Sequence, residues 1–262
     1  MALSIDLSGK VVLVTGVSSG IGQATARQFA KAGARVAGCS RKPADDGGAV
    51  RFVQDVQAEN TEALYVQADV TVQSDLERMV QAVVDRFGQI DILVSNSGMN
   101  VFKGAEGCSE EEWEYNMNLN LASHWRLARL CKPYMEKSGG GVVLLMTSNH
   151  AYYTIPGCFP YNVSKTAMKG MVQSMAIEWG PGIRTVGIAP GFIDTAGNDT
   201  WFNSFPDPQQ ERQRTIDMHP VKRIGTTDEV GALCVFLASD YARFISGNTI
   251  LMDGGRSALM QD

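Results

Sequence analysis

Tyr161 and Lys165 stand four residues apart, with Ser148 thirteen residues upstream, and these are the side chains of this 262-residue chain best suited to chemistry. On a helix, positions i and i+4 share a face, so phenol and ammonium would lie side by side. A phenol ionises near pH 10, and bringing that value to about 7.5 requires about 3 kcal/mol. One positive charge about 4 Å away supplies roughly 4 kcal/mol at an effective dielectric constant of about 20. Lys165, aided by the positive charge of an oxidised cofactor, is therefore sufficient in magnitude to make Tyr161 an acid–base group for an alcohol or carbonyl oxygen. Ser148 would hydrogen-bond that oxygen and hold it in place. Taken singly, a Tyr-x-x-x-Lys spacing is common in helices and mostly structural, so its meaning depends on what else the chain supplies.

It supplies a glycine-rich turn. Thr15-Gly16-Val17-Ser18-Ser19-Gly20-Ile21-Gly22 follows an apolar run and opens a helical stretch. Glycines there let the chain turn sharply and let a pyrophosphate approach the backbone, while the helix amides offer an anion site. The spacing is G-x-x-x-G-x-G, not the G-x-G-x-x-G fingerprint, and alone it is a weak signal. About twenty residues further on, an acidic side chain would bond a ribose 2′-hydroxyl and a basic one a 2′-phosphate. Here Ser40 occupies the acidic position and Arg41 follows, with Lys42 adding to the field. A guanidinium suits bidentate phosphate contact, which favours NADP, with NAD use left open. Asp45 and Asp46 lie further along in a glycine-containing loop.

These residues need elements to place them. Apolar runs at 10–15, 35–39, 63–67, 90–95, 141–147, 184–188 and 248–252 read as strands. Most are continuous rather than alternating, as parallel strands covered on both faces should be. Helical periodicity fills 21–32, 74–87, 113–135, 161–179 and 228–237. The expected fold is α/β, a single-domain Rossmann-type doubly wound parallel sheet of about seven strands spanning 1–262. The alternation lapses at about 195–225, and a long irregular segment there reads as a substrate lid.

Taken in order, the stations resemble the short-chain dehydrogenase/reductase superfamily along almost the whole chain. Asp69-Val70 is similar to the segment that contacts adenine. Ser95-Asn96-Ser97-Gly98 matches Asn-Asn-Ala-Gly with two departures, at Ser95 and Ser97. Asn120 falls where the family has a helix asparagine, with Asn118 as the competing assignment. Ser148, Tyr161 and Lys165 fit the Ser…Tyr-x-x-x-Lys signature, and Pro190-Gly191-Phe192-Ile193-Asp194-Thr195 resembles the segment that grips the nicotinamide amide. The resemblance implies hydride transfer to or from nicotinamide, proton transfer at Tyr161, and a proton-relaying water held by Asn120. Cofactor contacts would come from Gly16, Ser18, Ser19, Gly20, Ile21, Gly22, Ser40, Arg41, Asp69, Val70, Asn96, Ser97, Gly98, Tyr161, Lys165, Pro190, Gly191, Ile193 and Thr195. It also implies a homotetramer, with a dimer as the fallback.

Substrate candidates are Ser148, His150, Tyr161, Phe192 and Trp201. Aromatics beside amides suit a polyhydroxylated compound, although the lid aromatics could equally cover a small core of their own. His150, the Ile155-Pro156 pair and 205–210 resemble the bacterial glucose (aldose) 1-dehydrogenase branch, and 175–179 is similar to sugar-acid dehydrogenases. A 3-oxoacyl carrier-protein reductase and a non-catalytic dinucleotide-binding regulator are the alternatives. Such a regulator would be expected to have lost Tyr161 or Lys165. A serine hydrolase at Ser148 lacks the G-x-S-x-G elbow.

Composition agrees. Hydrophobic residues make up 44% and charged residues 19%, with a net charge of −5, which excludes a disordered chain and gives no basic stripe for nucleic acid. The apolar runs 11–14 and 142–146 are far short of a membrane span, and the N-terminus has no secretory pattern. Five scattered cysteines without a C-x-x-C or shared spacing with the three histidines suggest free thiols in the cytoplasm and no metal site.

Overall fold

The computed structural model describes residues 4–259. Its elements alternate along the chain: β1 (Val11–Thr15), α1 (Gly20–Lys31), β2 (Arg35–Ser40), α2 (Gly47–Gln57), β3 (Ala63–Gln67), α3 (Gln73–Phe87) and β4 (Ile92–Ser95). Then follow α4 (Glu110–Met117), α5 (Ser123–Lys137), β5 (Gly141–Met146), α6 (Tyr161–Trp179) and β6 (Ile183–Pro190). The chain continues through β7 (Ile193–Asp194), α7 (Ala196–Phe202), α8 (Pro208–Asp217), β8 (Gly225–Thr226), α9 (Thr227–Ala238) and β9 (Thr249–Met252). Seven strands form one parallel sheet in the order β3-β2-β1-β4-β5-β6-β9.

The strand sequences explain why helices cover both faces. Along β1, Val12 and Val14 pack with Phe29, Phe52 and Val230 from α1, α2 and α9. Val11 and Leu13 point the other way, into a cluster with Leu76, Leu127, Met168 and Val172 from α3, α5 and α6. A strand buried on both sides has no polar face, hence the unbroken apolar runs.

Three elements depart from the sequence reading. The stretch 113–135 is not one helix: α4 and α5 are joined by a π-helical turn, Asn118–Ala122, which 3.6-residue periodicity does not distinguish from a continuous helix. The loop after Arg41 contains α2, whose start at Gly47-Gly48 carries no helical signal, although Asp46 caps it by accepting from the Gly48 amide at 2.9 Å. The segment 195–225 is not irregular. It holds α7 and α8, capped by Thr195 and Asp207, and β8 pairs with β7 to fix both ends of the excursion.

The order of strands determines where a ligand can enter. From β1 the chain steps to β2 and β3 on one side, then returns to β4 and β5 on the other. The crevice beyond the carboxyl ends of β1 and β4 lies at this reversal, where doubly wound sheets bind ligands. A buried carboxylate fixes the opposite ends of the same two strands. Asp91 accepts from the Val11 amide at 2.8 Å, Gln89 Nε2 at 2.7 Å and Lys10 Nζ at 3.1 Å. Replacing it leaves the Val11 amide unpaired in the interior. Asp91→Ala is therefore expected to cost roughly 1–3 kcal/mol, read as a lower thermal midpoint. A midpoint equal to wild type would contradict the role assigned to this carboxylate.

Candidate active site

Beyond those strand ends opens a cleft of about 1230 Å³. Its wall begins at the glycine turn. Gly16 and Gly20 adopt left-handed backbone, φ +77° and +59°, which β-carbon-bearing residues rarely do. Gly22 does not line the cleft; a β-carbon there would sit 2.2 Å from the Gly16 carbonyl oxygen, so it permits the turn to close. Ser19 precedes α1 without a side-chain capping bond, which leaves the first-turn amides to serve an anion. Ser18, Ser19 and Ile21 also line the wall.

The neighbouring turn, residues 95–98, is tied to this one through Thr15. The Thr15 hydroxyl accepts from the amides of Asn96 and Ser97, both at 2.9 Å, and Asn96 Nδ2 donates to the Thr15 carbonyl at 2.9 Å. The Ser95 departure has a visible partner: its hydroxyl lies 2.8 Å from Nδ1 of His124, a fully buried ring. Gly98 is required by crowding, since a β-carbon would fall 2.8 Å from Asn120 Oδ1, with Lys165 Nζ in ordinary contact at 3.5 Å.

At the end of β2, hydrogen-bond accounting separates Ser40 from Arg41. Tyr65 donates its one hydroxyl hydrogen to the Lys42 carbonyl at 2.6 Å, so the 2.7 Å contact with Ser40 must use the serine's hydrogen. The Ser40 oxygen accepts from the Lys42 amide at 3.2 Å. Ser40 thus shapes the loop, and Gln67 Nε2 steadies it through the Arg41 carbonyl at 3.1 Å. Arg41 faces the cleft with Asp69 and Val70 nearby, Asp69 itself accepting from the Thr71 amide and hydroxyl.

Deeper in, β5 and α6 deliver Ser148, Tyr161 and Lys165 to one place. Ser148 follows the strand and accepts from the His150 amide at 3.2 Å. One helical turn separates Tyr161 from Lys165, whose ammonium donates to the Met146 carbonyl at 2.9 Å and lies 5.6 Å from the phenol ring centre. Lys165 is 3% exposed and Tyr161 8%. Burial disfavours charge on both: it lowers Lys165 to about 7 and raises Tyr161 to about 12, the Ser148 hydroxyl working against the latter. The phenol is thus not activated by Lys165 alone. The favourable Coulomb sum from the spacing omits the desolvation of the lysine itself.

Asn120 is fully buried and does not line the cleft. Its side chain accepts from the Met99 amide at 3.0 Å and donates to the Met99 carbonyl and to Asn116 Oδ1, both at 2.9 Å. Asn118 donates to the Thr71 carbonyl and accepts from Arg126, away from Lys165. Pro190, Gly191, Ile193 and Thr195 form the far rim with Phe192 and Trp201. Trp201 packs on Phe192, Phe202 and Phe205 with ring centres 4.8–5.6 Å apart, so the lid aromatics make their own core while two of them also face the cleft. His150 meets Tyr161 edge-on at 6.0 Å, and Phe102 meets both rings. Phe102 and Tyr65 carry no mark in the residue pattern, because tertiary packing brings them there.

A family model described as enoyl-(acyl carrier protein) reductase matches residues 16–257. Human dehydrogenase/reductase SDR family member 4 is 35% identical over 252 residues, covering 95% of this chain and 88% of that protein. The chain belongs to the short-chain dehydrogenase/reductase superfamily. Among solved structures, aldohexose dehydrogenase of Thermoplasma acidophilum superposes with a TM-score of 0.87 at 28% identity, covering 97% of this chain and 96% of that one. A 7α-hydroxysteroid dehydrogenase complexed with NADH and 7-oxo glycochenodeoxycholic acid gives 0.88 at 31% identity, covering 95% of each. The protein is accordingly an oxidoreductase of a superfamily that uses nicotinamide dinucleotides. Among the described residues no helix is long and apolar enough to cross a membrane, and no group of three His, Cys, Asp or Glu could hold a metal ion.

The buried lysine has a measurable consequence for stability. Its folded value, about 7, lies below its ordinary 10.5, so between these the unfolded chain binds a proton that the folded chain does not. That contribution makes stability rise as pH increases from about 7 towards 10. Lys165→Met should remove this part of the slope and raise the thermal midpoint most at pH 7 and below. Identical slopes for the two proteins would show that Lys165 is not desolvated as the structure has it.

Proposed function

We propose that the protein interconverts a secondary alcohol and its carbonyl on a sugar, sugar acid or polyol, using NADP in preference to NAD. The observation that carries this reading is the convergence of Ser148, Tyr161 and Lys165 on a cleft that also receives the glycine turn and the open first turn of α1. The residues present suit a dinucleotide. Gly16 and Gly20 leave the backbone bare, the α1 amides suit a pyrophosphate, and Pro190, Gly191, Ile193 and Thr195 would meet the nicotinamide. Arg41, free of the hydrogen-bond ring that engages Ser40, would pair with a 2′-phosphate. When bound, the cofactor supplies the hydride acceptor or donor and, when oxidised, a positive charge.

The chain's own residues do the rest. Ser148 would donate to the substrate oxygen and position it. Tyr161 would take the alcohol proton in oxidation and return it in reduction, and its phenolate would need more positive charge than Lys165 alone provides. Lys165 would also bond the nicotinamide ribose, while Asn120, locked between Met99 and Asn116, would keep the Gly98 turn against it. His150, Phe102, Phe192 and Trp201 offer faces and polar edges for a ring-like, hydroxylated substrate, and the likeness to an aldohexose dehydrogenase supports the same class. The cytoplasm as its compartment, a homotetramer as its assembly, and one domain with a lid at about 195–225 complete the proposal.

Two experiments test it. Tyr161→Phe should keep cofactor binding and lose nearly all turnover, followed at 340 nm with D-glucose, a sugar acid and an acetoacetyl thioester. Turnover within tenfold of wild type would remove Tyr161 from the chemistry, and a preference for the thioester would favour a carrier-protein ketoreductase. Arg41→Ala should weaken NADP by about ten- to a hundredfold while barely affecting NAD, the range of a charged hydrogen bond at a partly exposed site. An unchanged NADP/NAD ratio would show that Arg41 is not the selector.

A further inference from the structure

The cleft is basic although the chain carries a net charge of −5. Its charged lining is Arg41, Lys42, Lys103, Lys165, Arg214 and Arg256, against Asp69 alone. Arg41 and Lys42 stand at the end of β2, on the dinucleotide side, and Lys165 belongs to the reacting centre. Lys103 is paired with Glu112 at 2.6 Å and Arg214 with Glu211 at 2.5 Å. Arg256 makes none of the ion pairs found among the described residues.

Arg256 is held on a rigid frame at the lid end of the cleft. The Asp253 carboxylate accepts from the amides of Gly255 at 3.1 Å and Ser257 at 2.8 Å, and the Asp253 carbonyl accepts from the Arg256 amide at 3.1 Å. A β-carbon on Gly255 would lie 3.0 Å from Pro220, just after α8. In the same wall, Thr215 of α8 and His219 are 2% and 3% exposed. Nδ1 of His219 lies 2.7 Å from the Thr215 carbonyl, which can only accept, so Nδ1 carries the proton and Nε2 is the free nitrogen. Neither His219 Nε2 nor Thr215 Oγ1 has a partner. A β-carbon on Gly254 would come within 3.5 Å of His219 Cδ2, the atom bonded to Nε2, so this side of the ring lies against Gly254, two residues before Arg256. Unpaired buried polar atoms carry a desolvation cost that a ligand hydroxyl can recover.

We propose that this corner is a substrate subsite for a hydroxylated carboxylic acid. Arg256 pairs with the carboxylate, His219 Nε2 accepts from a neighbouring hydroxyl, and Thr215 Oγ1 completes that hydroxyl's bonds. This narrows the polyhydroxylated class of the proposed function to its acids, and it rests on that reading. The test is isothermal titration of the protein saturated with NADPH, which cannot oxidise an alcohol, using D-gluconate and D-glucitol, which share a six-carbon polyhydroxyl chain and differ in the carboxylate. Wild type should bind the acid more tightly. Arg256→Ala should lower the acid/polyol affinity ratio by about ten- to a hundredfold, as loss of a charged hydrogen bond requires. Arg256→Lys should retain part of the ratio, and Thr215→Val should weaken the acid without abolishing it. Equal binding, undetectable binding of the acid, or a preference that survives Arg256→Ala overturns the subsite. Absorbance at 340 nm on the same two compounds separates this from the function itself. Acid-selective binding without turnover of either compound leaves the subsite standing and refutes oxidation of sugar acids and polyols, whereas turnover without acid preference refutes the subsite alone.

Discussion

A lysine ammonium taken out of water at the carboxyl end of a parallel sheet is expensive to maintain, and the architecture around it is arranged to keep it there. The Met146 carbonyl at the end of β5 accepts from it, and α6 carries it one turn below Tyr161. Gly98, which leaves room for Asn120 Oδ1 by having no side chain, passes close beside the ammonium. The same burial that exposes the lysine to few competing waters also suppresses its charge and that of the phenol. Two groups that are each reluctant to ionise form a pair whose protonation responds steeply to any further charge brought beside them.

The rest of the cleft serves this pair by holding its walls in register. Thr15 fastens the turn after β4 to the turn after β1, and Asp91 fastens the other ends of those strands. The Tyr65–Ser40–Lys42 ring fixes the backbone that presents Arg41. Across the cleft the segment 195–225 is anchored at both ends by the β7–β8 pair and packed around its own aromatic cluster. In the proposed function, chemistry would lie on the sheet ends and α6, and substrate recognition on the 195–225 segment, a division suited to one reaction with variable substrates.

Much of this was legible in residue types and spacing. The central strands β1, β4 and β5 were readable because they are buried on both faces and so largely apolar. The edge strands β3 and β9 were readable by their β-branched and aromatic residues despite partial exposure, and the bounds of α6 match its periodicity. Ser148, Tyr161 and Lys165 were readable because one strand end and one helical turn suffice to bring them together. The lid helices escaped because Ala196–Phe202 and Pro208–Asp217 are polar and short, although Thr195 and the Asp207-Pro208 pair are recognisable caps. The π turn at Asn118–Ala122 escaped because its hydrogen-bond pattern leaves no mark on composition. The direction of the Tyr161 and Lys165 shifts also escaped, since spacing reveals proximity but not desolvation.

The most direct test of this picture is the ionisation of Tyr161 itself, followed by ultraviolet difference absorbance of phenolate in wild type against Tyr161→Phe, with and without oxidised dinucleotide. With protein alone, the Tyr161-dependent signal should develop only at strongly alkaline pH, towards 12. Saturation with the oxidised cofactor should bring it down by several pH units, because the added positive charge offsets the burial that holds the proton on. A titration near neutrality without cofactor, or one that cofactor does not move, would contradict the account of how this site is switched on.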